Sequence, residues 1–148
     1  MTRRGLLATP LAAWERDGLT AALVKAGLPA HDVGDARLLF WRFETTDIPV
    51  GFGGLEIHGS DALLRSLVTL PPLRQIGMGA AMVAVLETEA RALKCRAIYL
   101  LTASDANFFG RLGYAPCARS DVPEAIRASR QFAEFCAPTA AAMVKRIG

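Results

Sequence analysis

The spacing of apolar positions changes along this chain, and each change marks an element. Trp14, Leu19, Leu23 and Ala26 fall on one face of a helix that begins near Leu11. Gly27 and Pro29 end it. After a loop around Gly34, the run Leu38–Phe43 is dense in aromatic and aliphatic side chains, which predicts a strand. Thr45 to Pro49 turns the chain, and Val50–His58 predicts the second strand of a hairpin. Gly51, Gly53 and Gly54 lie inside that strand, a sign of a bulge or of close approach by another backbone or a ligand. Gly59 and Ser60 lead into a third strand over Ala62–Leu70, whose apolar stretch starts at Leu63.

Met82, Leu86, Ala90 and Leu93, widened by Val83, make the clearest helical stripe and predict a helix over Gly79–Leu93. Ala97–Leu101 reads as a short strand. Strand, helix and strand in that order predict a right-handed crossover and a parallel pair. Asp105–Leu112 predicts a short helix closed by Gly113, and Tyr114–Ala118 a strand. Pro123–Phe135 predicts a helix with Asp121 as its N-cap and Pro123 in its first turn. Ala140–Ile147 is the expected closing strand. No repeat, linker or low-complexity tract interrupts the pattern, so residues 1–148 are expected to form a single domain.

Composition narrows the function classes. The chain is 52% hydrophobic and 21% charged, which argues for a packed core and against disorder. Its net charge of +3 is mild, and no Lys/Arg run points to nucleic acid. The charge would suit a polyanionic cofactor. Cys95, Cys117 and Cys136 fit no zinc spacing, and His31 and His58 add none, so no metal is expected. Reduced thiols suit a cytoplasmic protein. The run Met1–Ala13 is broken by Pro10 and is too short for a signal peptide, and no window is long enough to span a membrane.

The chemistry concentrates after the third strand. Pro71 and Pro72 stop that strand, and Arg74-Gln75-Ile76-Gly77-Met78-Gly79 leads straight into the helix. A glycine-rich turn at a helix start leaves backbone N–H groups unpaired at the positive end of the helix dipole. Gly77 and Gly79 let an anion approach that backbone, and Arg74 adds charge, so the turn reads as a phosphate or pyrophosphate site. It lacks the Gly-Lys-Ser/Thr of a P-loop. Met82 stands where the dinucleotide fingerprint needs its third glycine.

Arg-x-x-Gly-x-Gly between a strand and an amphipathic helix resembles motif A of the GNAT N-acetyltransferase superfamily. Phe108 to Tyr114 resembles that superfamily's motif B. The resemblance runs over nearly the whole chain. It implies an α/β (α+β) fold with a mixed, mostly antiparallel sheet, helices on both faces, and a splayed parallel pair, Leu63–Leu70 and Ala97–Leu101. It implies acetyl-CoA as co-substrate. The backbone of Leu67, Val68 and Leu70 would bind pantetheine, with an N–H there polarising the thioester carbonyl. Arg74, Gln75, Gly77, Met78, Gly79 and Ala80 would take the pyrophosphate. Thr102 stands where many members have Asn. Phe109 stands in the cofactor site where many members have a Tyr that protonates the leaving thiolate, and phenylalanine has no proton to give.

A finer resemblance rests on Leu64–Leu67, Phe108–Tyr114 and the tail from Val122 to Phe132. These segments are similar to the arsenic-resistance N-acetyltransferases, which acetylate arsinothricin and related glutamate analogues. An amino-acid acceptor would bring a carboxylate. Arg65 is the candidate clamp for it, unless it pairs with an internal acid. Arg127 and Trp41 are further substrate candidates, with Arg42, Arg111 and Arg130 behind them. Glu56 is the candidate carboxylate beside the amine and Glu44 a weaker one; an exposed strand position is the other reading of Glu56. Leu67 is the candidate for the polarising amide. The partner is then a small-molecule amine, with neither nucleic acid nor membrane, and a homodimer is one assembly open to the chain. Two other readings compete: a binding module that senses acyl-CoA without turnover, and an acetyltransferase for a protein amine.

Overall fold

The structure is a computed structural model that describes residues 6–46, 48–70, 77–129, 132 and 140–148. Its strands are β1 (Leu6–Pro10), β2 (Leu39–Thr45), β3 (Ile48–His58), β4 (Asp61–Thr69), β5 (Ala97–Thr102), β6 (Ala115–Cys117) and β7 (Ala141–Arg146). Its helices are α1 (Asp17–Ala26), α2 (Met78–Ala92), α3 (Ala106–Arg111) and α4 (Glu124–Arg127). The strands form one sheet in the order β1-β2-β3-β4-β5-β7-β6. Every pair is antiparallel except β4–β5.

The sheet separates two layers. Met82, Val83 and Leu86 of α2 pack with Phe43, Leu55, Leu64 and Leu100 in the main core. Leu19 and Leu23 of α1 pack with Phe40, Phe52 and Val68 in a second cluster. Ile126 of α4 and Phe132 join Leu63 and Tyr99 in a third. α2 has 15 residues, so it runs about 22 Å, enough to cross the sheet.

One strand is added and two expectations are corrected. The N-terminal run broken by Pro10 is strand β1, at the edge of the sheet, where a proline costs little because one side has no neighbour. The first helix begins at Asp17, not near Leu11. Ala13–Glu15 is a separate 3₁₀ turn and leaves Trp14 85% exposed, off the apolar face it was expected to share. Arg16 explains the break: its buried guanidinium donates to the carbonyls of Leu11, Val33, Asp35 and Leu38, tying the chain before α1 to the loop after it. The helix expected over 123–135 is four residues long, with Pro123 at its N-cap and Asp121 in a preceding 3₁₀ turn. Most of the chain beyond Ser129 in that segment lies outside the described residues.

Candidate active site

β4 and β5 pair only at Asp61↔Ala97, Ala62↔Ile98 and Leu63↔Tyr99. Beyond Leu63 they part, although β4 runs on to Thr69 and β5 to Thr102. β5 keeps its other neighbour throughout, as far as Thr102↔Ala141. A cleft of about 990 Å³ opens in the gap. Its walls come from Leu64–Thr69 of β4, Leu100–Asp105 at the end of β5 and just beyond it, the start of α2, and α3. Lys25–Leu28 at the end of α1 closes it on the other face of the sheet.

The parting follows from a bulge. Phe52 pairs with Val68 and Gly54 with Arg65, so Ser66 and Leu67 face the single residue Gly53. Ser66 takes left-handed backbone, with φ 58°. The extra residue resets the side-chain alternation. Leu64 and Leu67 both pack on the α2 side, whereas Val68 packs under α1 and Arg65 stacks 5.5 Å from Phe40. The β3 glycines make room for this. A Cβ at Gly51 would overlap the Val68 carbonyl oxygen, and one at Gly54 would lie 2.5 Å from the Phe40 ring.

The anion turn is described from Gly77 onward. Arg74 and Gln75 lie outside the described residues. Gly77 is the N-cap of α2 with φ 78°, and among the described residues no side chain caps the helix. The first intrahelical bond near this end runs from Ala81 N–H to the Gly77 carbonyl at 3.3 Å. Helix geometry therefore leaves the N–H groups of Met78, Gly79 and Ala80 without helical partners. Gly77, Gly79 and Ala80 line the cleft, while the Met78 side chain packs on the main core. A Cβ at Gly79 would lie 3.1 Å from the Phe108 ring, so the glycine lets α2 and α3 approach.

α3 supplies the wall facing α2. Phe109 is buried in the cleft wall and meets Phe108 and Tyr114 edge-on at 4.9 and 5.7 Å. Thr102 also lines the cleft, and its Oγ1 accepts the Asp105 N–H at 2.9 Å, which fixes the turn into α3. Behind the wall, the Tyr114 hydroxyl donates to Glu87 at 3.0 Å, and Lys145 Nζ donates to Glu87 at 3.1 Å and to the Leu112 carbonyl at 2.9 Å. Burial, then the charge of Glu87 and the bond to it, push the Tyr114 phenol well above its ordinary pKa. Tyr114 is thus a packing aromatic, outside the cleft lining.

Arg65 settles into the internal pair. Its side chain has no exposed surface. Nη1 and Nη2 donate to the two Asp32 oxygens at 2.7 and 2.6 Å, and Nη1 also to Glu56 at 2.7 Å. Nε donates to Ser66 Oγ at 3.1 Å. Burial lowers the pKa of the guanidinium, but the bonds and charges of Asp32 and Glu56 outweigh it, and the net direction is upward. Buried and held by two internal acids, the guanidinium takes the internal-pair alternative rather than the expected clamp on a substrate carboxylate.

Glu56 is 5% exposed, absent from the cleft lining, and shared between Arg65 and His58 Nε2, the latter at 3.2 Å. It is neither an exposed strand residue nor a carboxylate in direct reach of the cleft. Trp41 is in the main core rather than the cleft. Arg127 is exposed, donates to the Val122 carbonyl at 2.9 Å, and lies off the cleft lining. Leu70 gives its N–H to the Val50 carbonyl at 2.7 Å and packs under α1, so only Leu67 and Val68 of the expected pantetheine strand line the cleft. Arg42 and Glu44 pair with each other at 3.2 Å on β2. Cleft-lining residues missed in the sequence include Lys25, Ser66 and Ser104; Arg111, one of the further substrate candidates, also lines it. The glycines of β3 gave the sign of a bulge, and it lies opposite Gly53, but they did not tell which β4 residue it turns toward the cleft.

Among the described residues, no group of three His, Cys, Asp or Glu could hold a metal ion, and no helix is long and apolar enough to cross a membrane. Cys95 and Cys117 are free thiols.

No curated protein matches the chain. Solved structures do. N-acetylglutamate synthase from Neisseria gonorrhoeae, complexed with coenzyme A and L-arginine, superposes with a TM-score of 0.79 at 14% identity. The match covers 98% of this chain and 34% of the synthase, so this chain spans about a third of that relative's length. Rv2747 from Mycobacterium tuberculosis, in complex with CoA and a second ligand, gives 0.79 at 18% identity over 96% of this chain and 99% of that one. Aminoglycoside 6'-acetyltransferase type Ii gives 0.68 at 20% identity over 96% and 97%. These likenesses concern the fold. The sequence itself matches the model of the acetyltransferase (GNAT) family over residues 6–114, a span that takes in both walls of the splayed cleft, and the chain belongs to that family.

Proposed function

We propose that this protein is an acetyl-CoA-dependent N-acetyltransferase acting on the amino group of a small amino-acid-like acceptor. The observation that carries the reading is the cleft between β4 and β5, with the uncapped start of α2 opening onto it. The donor set fits a diphosphate: neutral main-chain N–H groups at the positive end of a 15-residue helix, with glycines at Gly77 and Gly79. Arg74 and Gln75 would complete that set.

Leu67 and Val68 offer the backbone edge along which the pantetheine arm would pair as an added strand. The Leu67 N–H is the proposed donor to the thioester oxygen, where charge builds during attack. The neutral amine of the acceptor attacks the thioester carbon, the C–N bond forms and the C–S bond breaks. The proton released by the amine reaches the thiolate directly or through water. An α-amino group has a pKa of about 7.7–8.0 and a thiol one of about 8.5, so neither step needs a strong acid or base near neutral pH. This accommodates Phe109, which gives the cleft an apolar wall and no proton. Glu56 supports the acceptor side through Arg65 and His58 rather than by touching the amine.

Arsinothricin and phosphinothricin are the acceptors to try first, on the strength of the segments Leu64–Leu67, Phe108–Tyr114 and Val122–Phe132. Among the described residues, Lys25 and Arg111 are the cleft-lining cations besides Arg65, and so candidates to meet an anionic acceptor or cofactor. The test is thiol release from acetyl-CoA with a panel of amino acids that includes these two. The expected result is acetylation of at least one α-amino group. CoA binding without turnover of any amine would replace the enzyme by an acyl-CoA sensor.

A further inference from the structure

We propose that Arg65 is a positioning residue for acyl transfer: its guanidinium holds the β4 bulge through Ser66 and ties the bulge to the loop after α1 through Asp32. The inference deepens the reading above, because the bulge aims the Leu67 amide at the thioester.

Ser66 is the first point of the argument. Left-handed backbone is uncommon at a non-glycine residue and persists where the surroundings over-determine it. The Ser66 hydroxyl has one charged donor on it, Arg65 Nε at 3.1 Å. Arg65 is the residue just before the bulge, and its other donors are fixed by Glu56 on β3 and Asp32 in the loop between α1 and β2. One planar fork therefore spans three separate pieces of chain. Each of them bears on the cleft: β4 lines it, β3 accepts the bulge at Gly53, and the loop follows the Lys25–Leu28 wall.

Register is the second point. Were the bulge to relax, the residues after it would exchange faces, and Leu67 and Val68 with them. A lysine at position 65 keeps the charge, but its single ammonium cannot reach Asp32, Glu56 and Ser66 together. A glycine at position 66 adopts positive φ without a steric penalty and so needs no such hold.

The experiment compares Arg65→Lys with the double variant Arg65→Lys/Ser66→Gly. Hydrogen–deuterium exchange of the peptide over 62–70 needs no acceptor. Arg65→Lys should speed exchange in that peptide about tenfold, as a local opening does, and Ser66→Gly in that background should return most of the protection. Where an acceptor from the amino-acid panel is turned over, Arg65→Lys should lower kcat by about 10- to 100-fold with the KM for acetyl-CoA within about twofold, and Ser66→Gly should restore at least part of kcat. Should Arg65→Lys fold poorly, Asp32→Asn keeps Arg65 and tests the loop tie through the same exchange measurement on residues 27–38. The proposal is overturned if exchange over 62–70 is unchanged in Arg65→Lys, if Ser66→Gly recovers neither protection nor kcat, or if Arg65→Lys raises the acceptor KM at constant kcat. Failure of the wild-type protein to acetylate any amine would end the enzyme reading and leave the exchange result on the bulge to stand or fall alone.

Discussion

On the α2 side of the cleft, the groups offered to a ligand are main-chain amides on a helix start, set between two glycines and a phenylalanine. On the α1 side, the strand that faces them is braced by a buried guanidinium that stacks on Phe40 and pairs with two carboxylates. The first half recognises through backbone and needs small residues. The second half aligns through side-chain charge and needs partners from distant parts of the chain. The two halves should fail differently. Loss of a backbone approach weakens the binding of a ligand, whereas loss of a buried ion unbalances the fold. The Arg42–Glu44 pair on β2 marks the low end of the scale: it is partly exposed, and pairs of that kind contribute about 0–1 kcal/mol.

The largest effect is expected at Arg65. Arg65→Met leaves Asp32 and Glu56 without their guanidinium in a buried site, which costs about 3–5 kcal/mol. Urea denaturation measures it, and a loss no greater than that of Arg42→Ala would erase the contrast. Behind the α3 wall, Tyr114 gives a pH-dependent effect of intermediate size. Its pKa is raised in the folded protein, so the folded state holds its proton more tightly than the unfolded state does. The resulting stability is complete below the ordinary phenol value of about 10 and declines as pH rises above it. Thermal melts between pH 8 and 11 should show that decline, and Tyr114→Phe should flatten it.

The smallest effect belongs to the backbone half. In Gly79→Ala, the new methyl meets the Phe108 ring at 3.1 Å, and Phe108 must give way at the cleft wall. The KM for acetyl-CoA should rise about three- to tenfold, roughly 1 kcal/mol, with stability nearly unchanged. A fall in kcat with KM preserved would mean that α3 positions the reaction rather than the cofactor.

The contrast also explains what the sequence disclosed. The α2 entrance was legible because its chemistry is local: glycine spacing, a preceding strand and a following stripe are all within one short segment. The parallel pair and its opening, and nearly every element, followed from periodicity and from the family resemblance that carries them. Arg65 was legible as an anomaly, an arginine among leucines, but its partners were not. Asp32 and Glu56 meet it only after the sheet forms, and no spacing announces a contact between residues 33 apart. The same holds for Arg16, whose bonds to the carbonyls of Val33 and Leu38 shorten a helix that periodicity alone extends to Leu11. β1 was hidden because edge position excuses its proline, and a chain read without its neighbours has no edges.

The central claim is that coenzyme A occupies the β4–β5 opening with its diphosphate on the first turn of α2. Amide exchange measured with and without CoA tests it most directly. The account predicts that CoA slows exchange at Gly77–Ala80 and at Leu67–Val68 while amides on β1 and β2 keep their rates. CoA that binds tightly but leaves Gly77–Ala80 unprotected would contradict it.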